Sequence, residues 1–143
     1  MRVKIIFPAP FVFSFQLPVR ITDINYGGHV GNDRLLAYAH EARMAFFAQW
    51  NFTEMNAGGN SIIMADSAIQ YKGEGFYSDV LKIDICVGQI SSISFDLYYK
   101  ITTTRDAQEK EIAFIKTGMI CFDYKARKIA EMKEALREKL IMK

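Results

Sequence analysis

Between Arg20 and Leu36 the chain reads Arg-Ile-Thr-Asp-Ile-Asn-Tyr-Gly-Gly-His-Val-Gly-Asn-Asp-Arg-Leu-Leu. This sets an acid (Asp23), an amide (Asn25) and an imidazole (His29) around two adjacent glycines. Acids and imidazoles exchange protons in water, so these residue types suit general acid–base chemistry. Gly27 and Gly28 allow a ligand to approach the main chain. The apolar run that follows begins a helix, whose first N–H groups lack intrahelical partners and sit at the positive end of the dipole. Such donors polarise a carbonyl oxygen or hold an anion. The backbone of Gly27, Gly28, His29 and Val30 is therefore the candidate oxyanion site, a contact type that contributes roughly 3–4 kcal/mol in a transition state. Proton transfer beside a polarised carbonyl is the minimum equipment for acyl chemistry.

Each candidate also has a structural reading. Asp23 is a turn-fixing acid or a general base, and in an extended segment it shares one face with Asn25. Asn25 cannot accept a proton as a base; it fixes the turn or donates to a water or a carbonyl. His29 orients water or substrate, or bonds to the backbone at the helix start. Glu41, two turns into the helix, is a base with a shifted pKa or the partner of Arg34 or Arg43. His40, amid apolar neighbours, is structural. Tyr26 and Tyr71 line an acyl pocket or belong to the core. No Asp, Glu and His grouping has metal-ligand spacing, so neither metal nor cofactor is expected.

The elements that must position these groups follow from periodicity. Phe11, Phe13 and Phe15 alternate as in a strand, which is predicted over about Phe11–Thr22, with Pro18 at an edge or bulge. Leu35, Tyr38/Ala39, Ala42 and Ala45/Phe46 recur at helical spacing and predict a helix over about Asn32–Gln49, capped by Asn32 or Asp33. Asn51–Asn60 is a loop. Strands are predicted over Ser61–Tyr71, Val80–Gly88, Ile93–Thr104 and Ile112–Phe122, the first two separated by the Gly73-Glu-Gly75 turn. Arg105–Lys110 is the polar hairpin connection before the last. Glu131–Lys139 reads as a short charged helix with Ala135, Leu136 and Leu140 on its apolar side. One long apolar helix among antiparallel strands predicts an α+β sheet wrapped around that helix.

A length of 143 residues fits one domain, 1–143, and half the residues are apolar. The formal charge of +2 gives no argument for nucleic-acid binding. Cys86 and Cys121 are far apart in apolar runs and read as buried reduced thiols of a cytoplasmic protein. Arg2 and Lys4 before Ile5–Phe15 mimic a signal peptide. Two prolines interrupt that run, however, and no small-x-small cleavage site follows. No segment reads as a membrane span.

The motif Asp23-x-Asn25…His29-Val30-x-Asn32, with Glu41-Ala-Arg43-Met-Ala-Phe46-Phe47 on the helix, resembles the hotdog-fold acyl-CoA thioesterases. The nearest groups are the 4-hydroxybenzoyl-CoA thioesterase branch, the bacterial long-chain acyl-CoA thioesterases and the plant acyl-carrier-protein thioesterases. The likeness resumes at Ile69–Lys72, Tyr77–Leu81 and Ile90–Phe95. It implies a hotdog fold and a homodimer or homotetramer with sites at the dimer interface. It also implies hydrolysis of an acyl-CoA or acyl-carrier-protein thioester. On that reading Ser92, with Ser91 and Ser94 at a strand start, contacts pantetheine or is simply solvated, and the Lys125-Ala-Arg127-Lys128 cluster is a solvated surface or a contact for CoA phosphates. Where this family usually carries its catalytic aspartate the chain has Asn25; in the plant enzymes a histidine at the position of His29 takes part in catalysis. Two alternatives share the fold. One is an enoyl-CoA hydratase, whose Asp-x-Asn-Pro-x-His motif this chain begins but departs from, lacking the proline and placing the histidine one residue later. The other is a thioester-binding protein without turnover, prompted by Asn25.

Overall fold

The computed structural model describes residues 1–142. Strand β1 (Phe13–Pro18) leads through a 3₁₀ turn (Ile21–Asp23) to helix α1 (Arg34–Ala48). Strands β2 (Ser61–Tyr71), β3 (Val80–Ile90), β4 (Ser94–Arg105), β5 (Gln108–Asp123) and β6 (Lys128–Ile129) follow, and α2 (Glu134–Ile141) ends the fold. The strands form one antiparallel sheet in the order β1-β3-β4-β5-β2, with β6 paired to the end of β5.

Strict alternation along β4 puts Phe95, Leu97, Tyr99 and Ile101 in the core, joined by Ile83 and Ile85 of β3 and Ile115 and Met119 of β5. The apolar stripe of α1 (Leu35, Tyr38, Ala39, Ala42, Phe46, Phe47) belongs to the same cluster. Phe47 meets Phe95 edge-on at 6.3 Å, and Phe46 meets Phe13 at 5.6 Å. Each fully buried side chain of this size contributes about 1.5–3 kcal/mol, so the stripe is enough to hold the helix in the curl of the sheet.

Several boundaries differ from those predicted, each for a local reason. β1 stops at Pro18, an edge-strand position, because the chain then tightens into the 3₁₀ turn. Asp33 takes the N-cap position of α1 but makes no side-chain cap bond, and Asn32 lies outside the helix. The hairpin after β4 closes on only Asp106 and Ala107, both at positive φ (52° and 62°), so β5 starts at Gln108. The β5–β6 pairing was not anticipated. In α2, Leu136 and Leu140 are buried, whereas Ala135 is exposed.

The apolar N-terminal run is used on the sheet itself. The Ile5 N–H donates to Gln70 Oε1 (3.0 Å), and Phe7 packs against Phe114 and Tyr98 at 4.8 and 6.5 Å. The Val12 N–H donates to the Ile85 carbonyl (2.8 Å). This segment thus crosses the face of the sheet opposite α1, from β2 to β3. Cys86 and Cys121 are buried and free, with both thiols pushed up by burial, Cys121 to about 11. Among the described residues no helix is long and apolar enough to cross a membrane.

Candidate functional site

Asp23 closes the 3₁₀ turn and is mostly enclosed, its side chain 10% exposed. Its Oδ2 accepts from the Tyr38 hydroxyl (2.7 Å) and from the Arg20 N–H (3.0 Å), while Arg34 Nε lies 4.0 Å from Oδ1. Burial, and then the bond to Asp23, raise the Tyr38 pKa well above its ordinary value, so the phenol stays a donor. Asp23 therefore fastens the turn to α1. Because Ile21–Asp23 is a 3₁₀ turn and not a strand, alternation does not carry through to Asn25.

The next residues form a small closed loop. The Asn25 N–H donates to the His29 carbonyl (2.9 Å), and the Gly28 N–H to the Asn25 carbonyl (3.1 Å). Gly28 sits at φ +82°, a conformation side chains seldom adopt. Asn25 Oδ1 accepts from the Gly27 N–H (2.9 Å), which leaves its Nδ2 without a bond among the described residues. A Cβ on Gly27 would lie 3.2 Å from His29 Nε2 and 3.3 Å from Asn25 Oδ1, so both side chains close over that glycine. His29 Nδ1 is 3.0 Å from the Val30 carbonyl oxygen. A carbonyl only accepts, so in a neutral ring the proton sits on Nδ1 and the lone pair on Nε2.

The main-chain donors divide sharply. Gly27, Gly28 and Val30 donate within the protein, Val30 to the Gly75 carbonyl (2.8 Å). The N–H groups of His29 and Asn32 have no acceptor among the described residues. Beside them lies a cavity of about 220 Å³, lined by His29, Asn32, Leu35, Tyr71 and Ile112, with Gly73–Gly75 as a wall. Two larger depressions, about 550 and 460 Å³, lie around Arg105. Their linings include the ion pairs Lys100–Glu111 and Arg105–Asp79, and neither contains a histidine.

The other predicted residues lie elsewhere. Glu41 is on the surface, 46% exposed, and pairs with Arg20 at 3.3 Å, not with Arg34 or Arg43. Arg43 is buried under α1, donating to Glu54 Oε2 and the Tyr99 hydroxyl, both at 3.0 Å. His40 is exposed and bonds through Nε2 to Glu54 Oε1 (2.5 Å), so its surroundings are polar, not apolar. Tyr26 is fully exposed and lines no cavity described. Ser92 follows the far end of β3, whose eleven residues span roughly 33 Å, well away from the His29 cavity. Lys125, Arg127 and Lys128 are exposed beyond the end of β5. Sequence reasoning missed Leu35, Ile112 and the Gly73–Gly75 wall as cavity residues; the Gly-x-Gly signal read only as a turn. Among the described residues no group of three or more His, Cys, Asp or Glu side chains is placed to hold a metal ion.

Residues 19–140 match the model of the thioesterase-like superfamily. Comparison with curated proteins gives no match. Among solved structures, YbaW, a probable thioesterase from Escherichia coli, is 27% identical, over 89% of this chain and 95% of that one, with a TM-score of 0.74. Slr0204, a 1,4-dihydroxy-2-naphthoyl-CoA thioesterase from Synechocystis, is 20% identical over 90% and 94%, with a TM-score of 0.78. A 4-hydroxybenzoyl-CoA thioesterase mutant complexed with 4-hydroxybenzoyl-CoA is 15% identical over 90% and 97%, at 0.79. With the match running from the end of β1 into α2, and the sheet curled on α1 as in these structures, the chain belongs to the thioesterase-like superfamily and has its hotdog fold.

Proposed function

We propose that the protein hydrolyses an acyl thioester, of CoA or of acyl-carrier protein, with His29 as the general base. The observation that carries this reading is the imidazole: Nδ1–H is tied to the Val30 carbonyl, which leaves the lone pair on Nε2 close over Gly27, and His29 is a lining residue of the cavity. Nε2 takes a proton from water as the water oxygen bonds to the thioester carbonyl carbon. The carbonyl oxygen becomes an oxyanion, held by Asn25 Nδ2 and the unpaired N–H groups of His29 and Asn32. Collapse of the tetrahedral intermediate breaks the C–S bond. The proton on Nε2 passes to the departing sulfur, and a carboxylic acid and a thiol leave. In this scheme Asn25 is a donor and needs no carboxylate, while Asp23 and Glu41 hold structure. Tyr71 borders the acyl group. Tyr26 and Ser92 belong to a site completed by a second copy, in keeping with a homodimer or homotetramer.

The test is a screen of acyl-CoA and aryl-CoA thioesters, with free thiol measured, and crotonyl-CoA included. Thiol release supports the proposal. Loss of the enoyl absorbance without thiol would identify a hydratase instead, and saturable binding without turnover a carrier. Sedimentation showing only monomer at micromolar concentration would exclude the two-copy site.

A further inference from the structure

The loop between β2 and β3, residues 73–79, forms one wall of the His29 cavity, and its conformation is not one the chain would hold by itself. Ser78 sits at φ +79°, where a side chain is strained, and Phe76, Tyr77 and Ser78 are all exposed. Gly75 is nevertheless buried against the site turn: its carbonyl accepts from the Val30 N–H (2.8 Å), and a methyl group there would come within 3.0 Å of Val30 Cγ2.

One side chain from another strand restrains both ends of this exposed stretch. The guanidinium of Arg105, at the end of β4, donates to both carboxylate oxygens of Asp79, with Nε at 3.0 and 3.2 Å and Nη2 at 3.0 Å. It also donates to the Glu74 carbonyl and lies 4.8 Å from the Phe76 ring centroid. Asp79 is 8% exposed, and its Oδ2 accepts in turn from the Phe76 N–H (2.8 Å). A planar fork reaches a carboxylate, a carbonyl and a ring face at once, which a lysine ammonium cannot do.

We propose that Arg105 is a positioning residue: by clamping the 73–79 loop it holds Gly75 against Val30 and so fixes the size of the acyl group the cavity admits. The size-selection part rests on the thioesterase reading above; the clamp itself does not. The test uses the full-length protein and Arg105→Ala and Arg105→Lys variants, in two measurements. In NMR amide exchange, Arg105→Ala should speed the Val30 and Phe76 amides by about 100-fold, while the amides of the β4–β5 ladder keep their rates. With butyryl-CoA and lauroyl-CoA, the ratio of the two kcat/KM values should shift by about fivefold or more, a quantity that loss of folded enzyme cannot change. Arg105→Lys, retaining charge but not the fork, should fall between wild type and Arg105→Ala in both, and it carries the test alone if Arg105→Ala does not fold. Uniform acceleration of exchange across the sheet would overturn the clamp, as would unchanged Val30 and Phe76 amides. An unchanged ratio would overturn the selection. If the wild type cleaves neither thioester, the hydrolase reading fails for these substrates and the exchange measurement decides the clamp.

Discussion

Two polar clusters flank α1, and they differ in what is left over after pairing. Beneath the middle of the helix, Arg43 bonds to Glu54 and Tyr99, and the Tyr99 hydroxyl lies 2.8 Å from Thr117 Oγ1, with Arg43, Tyr99 and Thr117 all buried. Nε and Nη1 of Arg43 and the Tyr99 hydroxyl are each engaged within the cluster, which is buried beneath the helix and lines none of the cavities described above. At the N-terminal end, Asn25 Nδ2, His29 Nε2 and two main-chain N–H groups have no partner among the described residues. Charge and residue type would rank the first cluster as the more reactive. Pairing reverses the ranking, because reactivity needs an orbital or a proton not already committed.

The comparison can be broken most decisively at His29. His29→Ala should lower kcat by about 100-fold or more with little change in Tm, whereas Glu41→Gln should leave kcat within twofold; equal losses in the two variants would remove His29 as base. Next in size is Arg43→Met, which leaves Glu54 and Tyr99 without their shared donor. It should cost about 3 kcal/mol in urea unfolding while folded enzyme keeps its kcat. Third is Asn25→Asp. The change keeps an acceptor for the Gly27 N–H but removes the Nδ2 donor, so kcat should fall about tenfold; a rise would show that a carboxylate is what this turn lacks.

The smallest effect concerns pH. Burial raises the pKa of Tyr38, Tyr99, Cys86 and Cys121, the last from 9.0 to about 11. A group whose folded pKa lies above its unfolded one stabilises the fold fully below the unfolded value and loses that contribution as pH rises through the folded one. Stability should therefore decline from about pH 9 upward, and Tyr38→Phe should flatten the decline. An alkaline limb unchanged by Tyr38→Phe would show that this hydroxyl is not protected by the turn.

Much of the frame was legible because it depends on local periodicity. Ser61–Tyr71 was read to the residue, and α1 to within two residues of each end, since an apolar stripe at helical spacing and alternation at period two are properties of neighbours in sequence. The turn with Asp23, Asn25 and His29 was visible as a set of residue types. Its division of labour was not. Asp23 is committed to Tyr38, 15 residues away, and Glu41 to Arg20, 21 residues away. The Val30 N–H is committed to Gly75, across α1, a loop and β2.

Legible in the sequence were the long helix α1 and its burial, the five longer strands in their order along the chain, and an acid, an amide and an imidazole at one glycine turn. Local spacing and backbone conformational preference suffice for each of these. Which of these groups stays uncommitted follows from long-range packing alone. A hydrogen bond between residues far apart in sequence leaves no trace in spacing or composition, yet it decides whether a carboxylate is committed to the fold, as Asp23 is to Tyr38.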